Sequence, residues 1–309
     1  MNNSGYPLVL GGLLVPLLAV GQTASANVDI VFDYRYDSSG FFTGANSSRQ
    51  NLLNDAAAVF ENRFQDNLTA VTSGGLNHFD VSFSEPDNGN SVTIPDFSVG
   101  SGQVVVFVGA HNLDSKLAEG GGGGFSSRGS SSFLDNAASR GQAGALLPVQ
   151  TDFGPWGGTM SFNSTSNWYF DPDTRTDESF SNQFDLYSVA IHELAHVLGF
   201  GTAPSFNNLS SGGVFTGTAA HDLFGSNPPL SPDGGHWAQN LTYLGQEVAL
   251  DPSIAAGQRK HFTELDYAAM KDIGWQVSPI PEAETWAMML AGLGLLGWRL
   301  RSQGSKARI

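Results

Sequence analysis

The feature that most constrains this chain is a segment of helical periodicity that is apolar around most of its circumference yet carries two histidines and a glutamate. Asp185 can cap a helix beginning at Leu186, because its carboxylate can accept hydrogen bonds from free N–H groups of the first turn. Gly199 and Gly201 mark the end, since glycine adopts the left-handed conformation in which helices commonly terminate. The apolar face predicted between these limits comprises Tyr187, Ala190, Ile191, Leu194, Ala195 and Leu198.

Within this helix, His192 and His196 stand four residues apart, a spacing that places both imidazoles on one face. Two imidazoles so placed can bind one tetrahedral zinc ion. Glu193 can then take a proton from a zinc-activated water that attacks a carbonyl carbon, and pass it to the leaving amine. The competing interpretation is two surface histidines on a solvated helix face, but the apolar surroundings and the glycine stop favour zinc.

A catalytic zinc site needs a third protein ligand. The chain has no cysteine, so this ligand must be a histidine or a carboxylate. Asp222 could orient His221, whereas His261 follows two basic residues and is expected to be exposed. The residues alone leave the choice open among five histidines: His78, His111, His221, His236 and His261.

The run His192-Glu193-Leu194-Ala195-His196-Val197-Leu198-Gly199-Phe200 resembles the active-site helix of leishmanolysin-type metzincins, which are zinc peptidases. In the common metzincin form a histidine three residues after the glycine is the third ligand, but here that residue is Thr202. In the leishmanolysin type an insertion precedes a distant third histidine, usually followed by tryptophan, and His236-Trp237 matches this pattern. The resemblance implies that His192, His196 and His236 bind zinc and that Glu193 is the general base, with His221 as the alternative third ligand.

Two further stretches extend the resemblance over roughly the C-terminal half of the region between the two ends. Residues 247–252 match the turn in which metzincins carry a methionine beneath the zinc, with Leu250 as an apolar substitute at the methionine position. Residues 266–275 resemble the helix that follows this turn. Metzincins also bind extended peptides along an edge strand above the zinc. Residues 157–162 are the candidate for that strand, with an ordinary core strand as the equal alternative.

Periodicity elsewhere predicts an α+β fold, and the resemblance implies a zincin/metzincin-like one. A twisted N-terminal sheet with helices precedes the active-site helix, and an irregular C-terminal subdomain ends in a helix. The peptidase domain is assigned to residues 27–280, with a subdomain boundary near residue 200. Patterning predicts strands at 28–34, 104–108 and 157–162, helices at 47–68 and 265–273, a mobile loop at the glycine run 120–124, and a surface loop at 168–181.

Both ends of the chain are predicted to be sorting segments rather than parts of the fold. Residues 8–20 are apolar and Ala24-Ser25-Ala26 offers a small-residue cleavage site, so residues 1–26 are predicted to be a secretory signal peptide. Residues 286–298 form a second apolar run, which is short for a permanent membrane span and is followed by basic residues.

The C-terminal segment, residues 281–309, with the preceding Ile280, resembles a PEP-CTERM sorting signal, although Ala283 replaces its usual second proline. An ordinary tail anchor is the alternative. The resemblance implies export, transient membrane association through this segment, and cleavage near Pro281 by an exosortase-type enzyme. The expected location is extracellular or at the cell surface, in the exopolysaccharide matrix of a Gram-negative bacterium.

The charge balance excludes one class of partner. The chain carries 14 basic and 29 acidic residues, a net charge of −15. Four of the basic and two of the acidic residues lie beyond residue 280, so residues 27–280 carry −17. Nucleic acid is not expected as a partner, because phosphate binding needs clustered Lys and Arg. Abundant Asp and Asn around residues 80–96 and 171–185 suggest calcium as a second cofactor, although neither stretch matches the full calcium-loop pattern.

These observations predict a secreted zinc-dependent endopeptidase that hydrolyses protein or peptide substrates. The main alternative is a catalytically silent surface or biofilm matrix protein on the same scaffold. Leu250 gives that alternative some support, whereas Glu193 opposes it, because a structural zinc site has no need of this carboxylate. A zinc amidohydrolase acting on other amides is a third possibility.

Overall fold

The computed structural model describes residues 28–176, 178–279 and 293. Its strands are β1 (Asp29–Asp33), β2 (His78–Ser84), β3 (Ser91–Ile94), β4 (Gln103–His111), β5 (Ala118–Gly122), β6 (Gly124–Arg128), β7 (Gly157–Asn163), β8 (Trp168–Tyr169), β9 (Phe184–Asp185), β10 (Ser210–Ser211), β11 (Val214–Phe215), β12 (Thr242–Tyr243) and β13 (Gln246–Glu247). Its α-helices are α1 (Gln50–Glu61), α2 (Ser131–Ser139), α3 (Leu186–Val197), α4 (Pro204–Asn208), α5 (Thr218–Phe224) and α6 (Glu264–Asp272).

The main sheet has the order β1-β4-β7-β5. Strands β1, β4 and β7 are parallel, and β5 runs antiparallel to β7 at one edge. A second sheet, of order β3-β2-β6, is entirely antiparallel. Because β6 follows β5 after a single residue, Gly123, one continuous run of chain passes from the first sheet to the second.

The main sheet is covered on both faces, as its continuous apolar strands require. In β4, Val104, Val106 and Val108 join the larger core, to which α1 and α3 also contribute. Phe107 points to the opposite face and packs with Trp156 against the second sheet. Helix α3 thus lies in the core beneath β5 and β7, and its side chains are placed by packing on several sides.

Several predictions from the sequence are confirmed. The described residues form an α+β fold, β1 and β4 match two predicted strands, and α3 begins after Asp185 as its capping pattern indicates. Helix α6 begins after Thr263, whose side chain and Asp266 form a reciprocal capping box. The helix predicted over residues 47–68 is shorter than expected, because a 3-10 turn (Gly44–Arg49) precedes α1.

The prediction of a mobile loop at residues 120–124 is wrong. These glycines form the end of β5, Gly123, and the start of β6. A Cβ atom at Gly120 would lie 2.6 Å from the carbonyl oxygen of Glu193, and one at Gly123 would lie 2.0 Å from the Trp156 ring. The strand approaches its neighbours so closely at these two positions that only glycine fits, which explains how a glycine-rich run can be ordered.

The candidate substrate-binding strand, residues 157–162, is also placed differently from the expectation. It lies within β7, which pairs with β4 on one side and β5 on the other, so it has no free edge for a peptide. It is the core strand of the alternative interpretation. The edge of the main sheet next to α3 is β5.

The predicted signal peptide (residues 1–26) and nearly all of the sorting segment (residues 281–309) lie outside the described residues. Within the described part of the chain, no helix combines the length and apolar character needed to cross a bilayer.

Candidate metal centre

Helix α3 presents His192, Glu193 and His196, and its start is fixed by a buried carboxylate. Asp185 accepts hydrogen bonds from the N–H of Ser188 (3.3 Å) and from its hydroxyl (2.6 Å). The guanidinium of Arg259 donates to both oxygens of the same carboxylate, at 2.8 and 2.9 Å. The first turn of α3 is therefore joined to the C-terminal part of the chain. This contact fixes the position along the helix axis of His192 and His196, which lie further along α3.

The turn after α3 brings the distant histidine back to the helix. Gly201 has a φ of +70°, which glycine adopts without strain. A Cβ atom there would lie 2.2 Å from the carbonyl oxygen of Gly235, so the backbone before His236 packs directly against this turn. The loop closes on itself through the N–H of Ser231, which donates to the carbonyl of His236 (2.9 Å).

Three imidazole nitrogens converge at one point. The Nε2 atoms of His192 and His196 lie 3.1 Å apart, those of His196 and His236 3.1 Å, and those of His236 and His192 3.2 Å. Within the described part of the chain, these residues form the one group of three or more His, Asp or Glu side chains arranged to hold a metal ion. The structure thus brings together the three residues that the sequence nominated, two from one helix and one from a loop forty positions away.

The other ring nitrogen of each histidine has an acceptor. The Nδ1 atoms lie 2.8 Å from the Ala249 carbonyl oxygen for His192, 2.8 Å from the Phe200 carbonyl oxygen for His196, and 2.9 Å from the Asp233 carboxylate for His236. A carbonyl oxygen only accepts, so the rings of His192 and His196 must carry hydrogen on Nδ1. The Asp233 carboxylate likewise accepts a hydrogen bond from Nδ1 of His236, so in the neutral form of this ring the lone pair lies on Nε2.

The charge state of the rings agrees with this assignment. Burial, followed by the neighbouring imidazoles, lowers the pKa of His192 well below its ordinary value and that of His196 to about 4. Both rings are therefore neutral at pH 7. If all three rings carry hydrogen on Nδ1 alone, three Nε2 lone pairs face one another at 3.1–3.2 Å, an arrangement that a bound cation would stabilise.

The donor set fits a divalent transition metal. Three nitrogens that each lie about 2.0–2.1 Å from a tetrahedral zinc ion are about 3.3 Å apart, close to the spacing of the three Nε2 atoms. A hydrogen-bond acceptor facing Nδ1, which each of the three rings has, is typical of a metal-binding histidine, because it fixes the tautomer and the ring orientation. Imidazole also suits copper and nickel, so the donors indicate this class of cation rather than one metal.

Glu193 lies beside the three histidines and is 7% exposed. Burial, and then the charge of Glu119, raise the pKa of its carboxyl to about 8, against a hydrogen bond from the N–H of Gly120 that lowers it. A bound cation would counteract this increase, lower the pKa of Glu193 and favour its carboxylate form. Glu193 is thus a buried acid–base group held against the β5 backbone.

The three histidines and Glu193 line a cleft of about 1160 Å³. Its lining includes residues 114–120, which contain the start of β5, together with residues 249 and 251–254. Leu250 is fully buried in the segment whose Ala249 carbonyl accepts the His192 hydrogen bond. Thr202, at the position of the third ligand in common metzincins, donates its hydroxyl to the carbonyl of His196 (2.7 Å).

The remaining histidines lie outside this cleft. His221 is on the short helix α5 beside Asp222 and is not part of the convergent group. His78 pairs with Asp96 at 2.6 Å, and His111 contacts the carbonyl oxygen of Pro86 at 2.7 Å. His261 is partly buried rather than exposed as predicted. The side chains of the two preceding residues, Arg259 and Lys260, are buried in ion pairs with Asp185, Asp171, Glu247 and Asp251.

Two features of the site were missed by sequence reasoning. Asp233 orients His236, and hydrogen bonds from Ser231, Gly235 and His236 overcome the effect of burial and hold its pKa at about 2. An Asp two residues before a Gly and three before a predicted ligand could have suggested this role. The sequence places Asp266 only within a predicted helix, yet its carboxylate also accepts hydrogen bonds from Trp237 and Ala249. The calcium prediction stays a prediction, since no carboxylate cluster appears among the described parts of residues 80–96 and 171–185.

Comparison with protein families finds one match, the PEP-CTERM protein-sorting motif at residues 279–302. Searches of curated proteins and of solved structures find no match to the chain. The motif implies recognition by an exosortase-type sorting enzyme, and it indicates export and a surface or extracellular location in a Gram-negative bacterium. It covers the C-terminal segment alone and gives no information about the cleft.

Proposed function

We propose that this chain is an exported zinc-dependent endopeptidase of the metzincin type. The observation that carries the proposal is the convergence of three imidazoles beside a buried glutamate in an open cleft. Imidazole ligands from a helix and a loop, together with an adjacent carboxylate, are the donor set of a catalytic zinc site that keeps one position open. The buried Leu250 segment under His192 is compatible with the methionine turn of that family.

His192, His196 and His236 would hold the zinc ion, which when bound polarises the scissile carbonyl and makes water acidic enough to attack near neutral pH. Glu193 accepts the proton of the attacking water and returns it to the leaving amine. Burial of Glu193 suits this task, because it brings the proton affinity of the carboxylate closer to that of the groups with which it exchanges.

The free edge of β5 is the proposed binding strand for an extended substrate. The N–H of Asn163 donates to the Leu117 carbonyl (2.8 Å) and the N–H of Gly123 donates to the Gly157 carbonyl (2.9 Å). In an antiparallel pair this register directs the backbone N–H and C=O groups of the odd-numbered residues of β5 towards β7. The backbone groups of Ala118 and the carbonyl of Gly120 are then directed to the cleft side, where a peptide can pair with them.

The test is proteolysis of labelled casein by the full chain, with and without the chelator 1,10-phenanthroline. We expect chelator-sensitive cleavage that returns when zinc is added back. Glu193→Gln should keep the bound metal and reduce the rate by about 10²–10⁴-fold, as expected for a lost general base. Glu178→Gln is the matched control, because Glu178 is an exposed residue outside the cleft.

Two results would count against the proposal. Cleavage that is unaffected by chelator or by Glu193→Gln would place the activity elsewhere. A chain that binds zinc stoichiometrically and cleaves neither casein nor a mixed peptide library would favour the silent matrix protein on the same scaffold.

A further inference from the structure

Asp266 is a buried acid whose hydrogen bonds go beyond those of a helix cap. It lies in the first turn of α6 and is 0% exposed. Its Oδ2 accepts the N–H of Thr263 (2.8 Å), which is one half of the capping box, and also the hydroxyl of Thr263 (2.7 Å). It also accepts the indole N–H of Trp237 on Oδ1 (2.8 Å) and the N–H of Ala249 on Oδ2 (3.1 Å).

The last two donors belong to the segments that build the metal centre. Trp237 directly follows His236, and the carbonyl of Ala249 accepts the Nδ1–H of His192 (2.8 Å). These segments are also joined to each other, because the N–H of Trp237 donates to the carbonyl of Leu250 (2.9 Å). One carboxylate therefore connects the backbone behind His236 with the backbone that orients His192.

We infer that Asp266 is a positioning residue that sets the affinity of the metal centre, in addition to capping α6. This inference rests on the proposed function, since it assumes that the three histidines bind a divalent metal. Four donors converge on the side chain, and a carboxylate has two oxygens that can accept all four. An asparagine has one acceptor oxygen, and its NH₂ group would face other donors.

The structural consequence of losing Asp266 would be local. The 236–237 and 249–250 segments would each lose an anchor to α6, and the ring planes of His236 and His192 would be free to rotate. Partners behind metal-binding histidines typically change metal affinity by about 10–100-fold when removed. The cap alone is not expected to affect a metal, because the hydrogen bonds of the Thr263 hydroxyl are made with Asp266 itself.

The matched control is Asp272, the last residue of α6. Its two oxygens accept the N–H groups of Ala219 and Ala220, both at 2.8 Å, and thereby hold α5. Asp272→Asn should lower the melting temperature of the metal-free chain, as Asp266→Asn should, yet it touches no segment of the metal centre. A difference in metal affinity between these two variants thus separates positioning from general stability.

The experiment measures zinc dissociation constants of the full chain by competition with a chromophoric chelator, and records the visible spectrum of the Co²⁺-substituted protein. We expect zinc binding about 10–100-fold weaker in Asp266→Asn and an altered cobalt spectrum, with Asp272→Asn within about twofold of the wild type. Trp237→Phe keeps the carboxylate and removes one donor, so it tests the same link if Asp266→Asn fails to fold. We expect it to weaken zinc binding less than Asp266→Asn and to change the cobalt spectrum.

Equal zinc affinities in Asp266→Asn, Trp237→Phe and Asp272→Asn, with an unchanged cobalt spectrum, would overturn the role of Asp266 and leave the proposed function intact. A wild-type chain that binds neither zinc nor cobalt would overturn both.

Discussion

Gly120 offers a quantitative test of how closely β5 approaches Glu193. A Cβ atom at this position would lie 2.6 Å from the carbonyl oxygen, 2.7 Å from the Cβ and 2.9 Å from the Cα of Glu193. Ordinary contacts between such atoms are about 3.5–4.0 Å. Gly120→Ala therefore requires β5 and α3 to separate by about 1 Å, because two of the three atoms belong to the helix backbone.

The separation should affect both stability and activity. Overpacking of this kind typically costs about 1–3 kcal/mol, and a domain of this size loses about 2–4 °C in melting temperature per kcal/mol. It should also displace Glu193 relative to the metal and remove its hydrogen bond from the Gly120 N–H. A misplacement of about 1 Å in an active site can reduce the rate about 100-fold.

The control is the neighbouring glycine. A Cβ atom at Gly121 would meet nothing within 4 Å, so Gly121→Ala should leave melting temperature and activity close to those of the wild type. Both variants would be compared by casein cleavage, thermal unfolding and zinc content at the same protein concentration. If Gly120→Ala behaves like Gly121→Ala in rate and melting temperature, β5 does not lie against Glu193 as described.

Two further predictions concern the third ligand and a buried acid outside the cleft. His236→Ala should abolish stoichiometric metal binding in elemental analysis of the purified chain, whereas His221→Ala should leave it unchanged; equal metal contents would refute the assignment. Asp66 is 1% exposed, and burial raises its pKa from 3.8 to about 6. Because the folded-state pKa is raised, this acid destabilises the fold increasingly as the pH rises from about 4 to about 6. Asp66→Asn can keep the hydrogen bond from the Gln276 N–H. In urea unfolding it should gain on the order of 3 kcal/mol over the wild type above pH 7 and nothing below pH 4, and parallel pH profiles would contradict this expectation.

Local patterns predict the helices that carry the site, because their signals lie within a few residues of one another. Asp185 and Gly199 bound α3, and Thr263 with Asp266 starts α6, as their capping chemistry indicates. The resemblance to the metzincin helix nominates His236, which the structure brings to the other two histidines. The helix boundaries depend on short segments, and tertiary packing leaves them unchanged, whereas the assignment of His236 depends on the family resemblance.

Strand order and backbone proximity cannot be derived from the sequence in the same way. Residues 157–162 form a good strand pattern, but whether such a strand has a free edge depends on which strands flank it. Gly120 and Gly123 disfavour a strand by intrinsic preference, and the contacts that require glycine there come from Glu193 and Trp156, far away along the chain. The burial of Arg259 and Lys260 likewise depends on tertiary contacts, because it requires the ion pairs with Asp185 and Asp251.

The long insertion between α3 and His236 raises the question of what holds the third ligand in place before metal binds. Closing a loop of forty residues costs about 3 kcal/mol in chain entropy. Against this, Phe200, Phe206, Phe215 and Trp237 form a closed ring of contacts with centroids 4.8–5.7 Å apart, and all four are fully buried. Burying each such side chain stabilises the fold by about 1.5–3 kcal/mol, which together exceeds the cost of loop closure. The aromatic cluster therefore offsets the closure entropy of the insertion, and because Trp237 belongs to this cluster, the adjoining His236 is held beside α3 by packing.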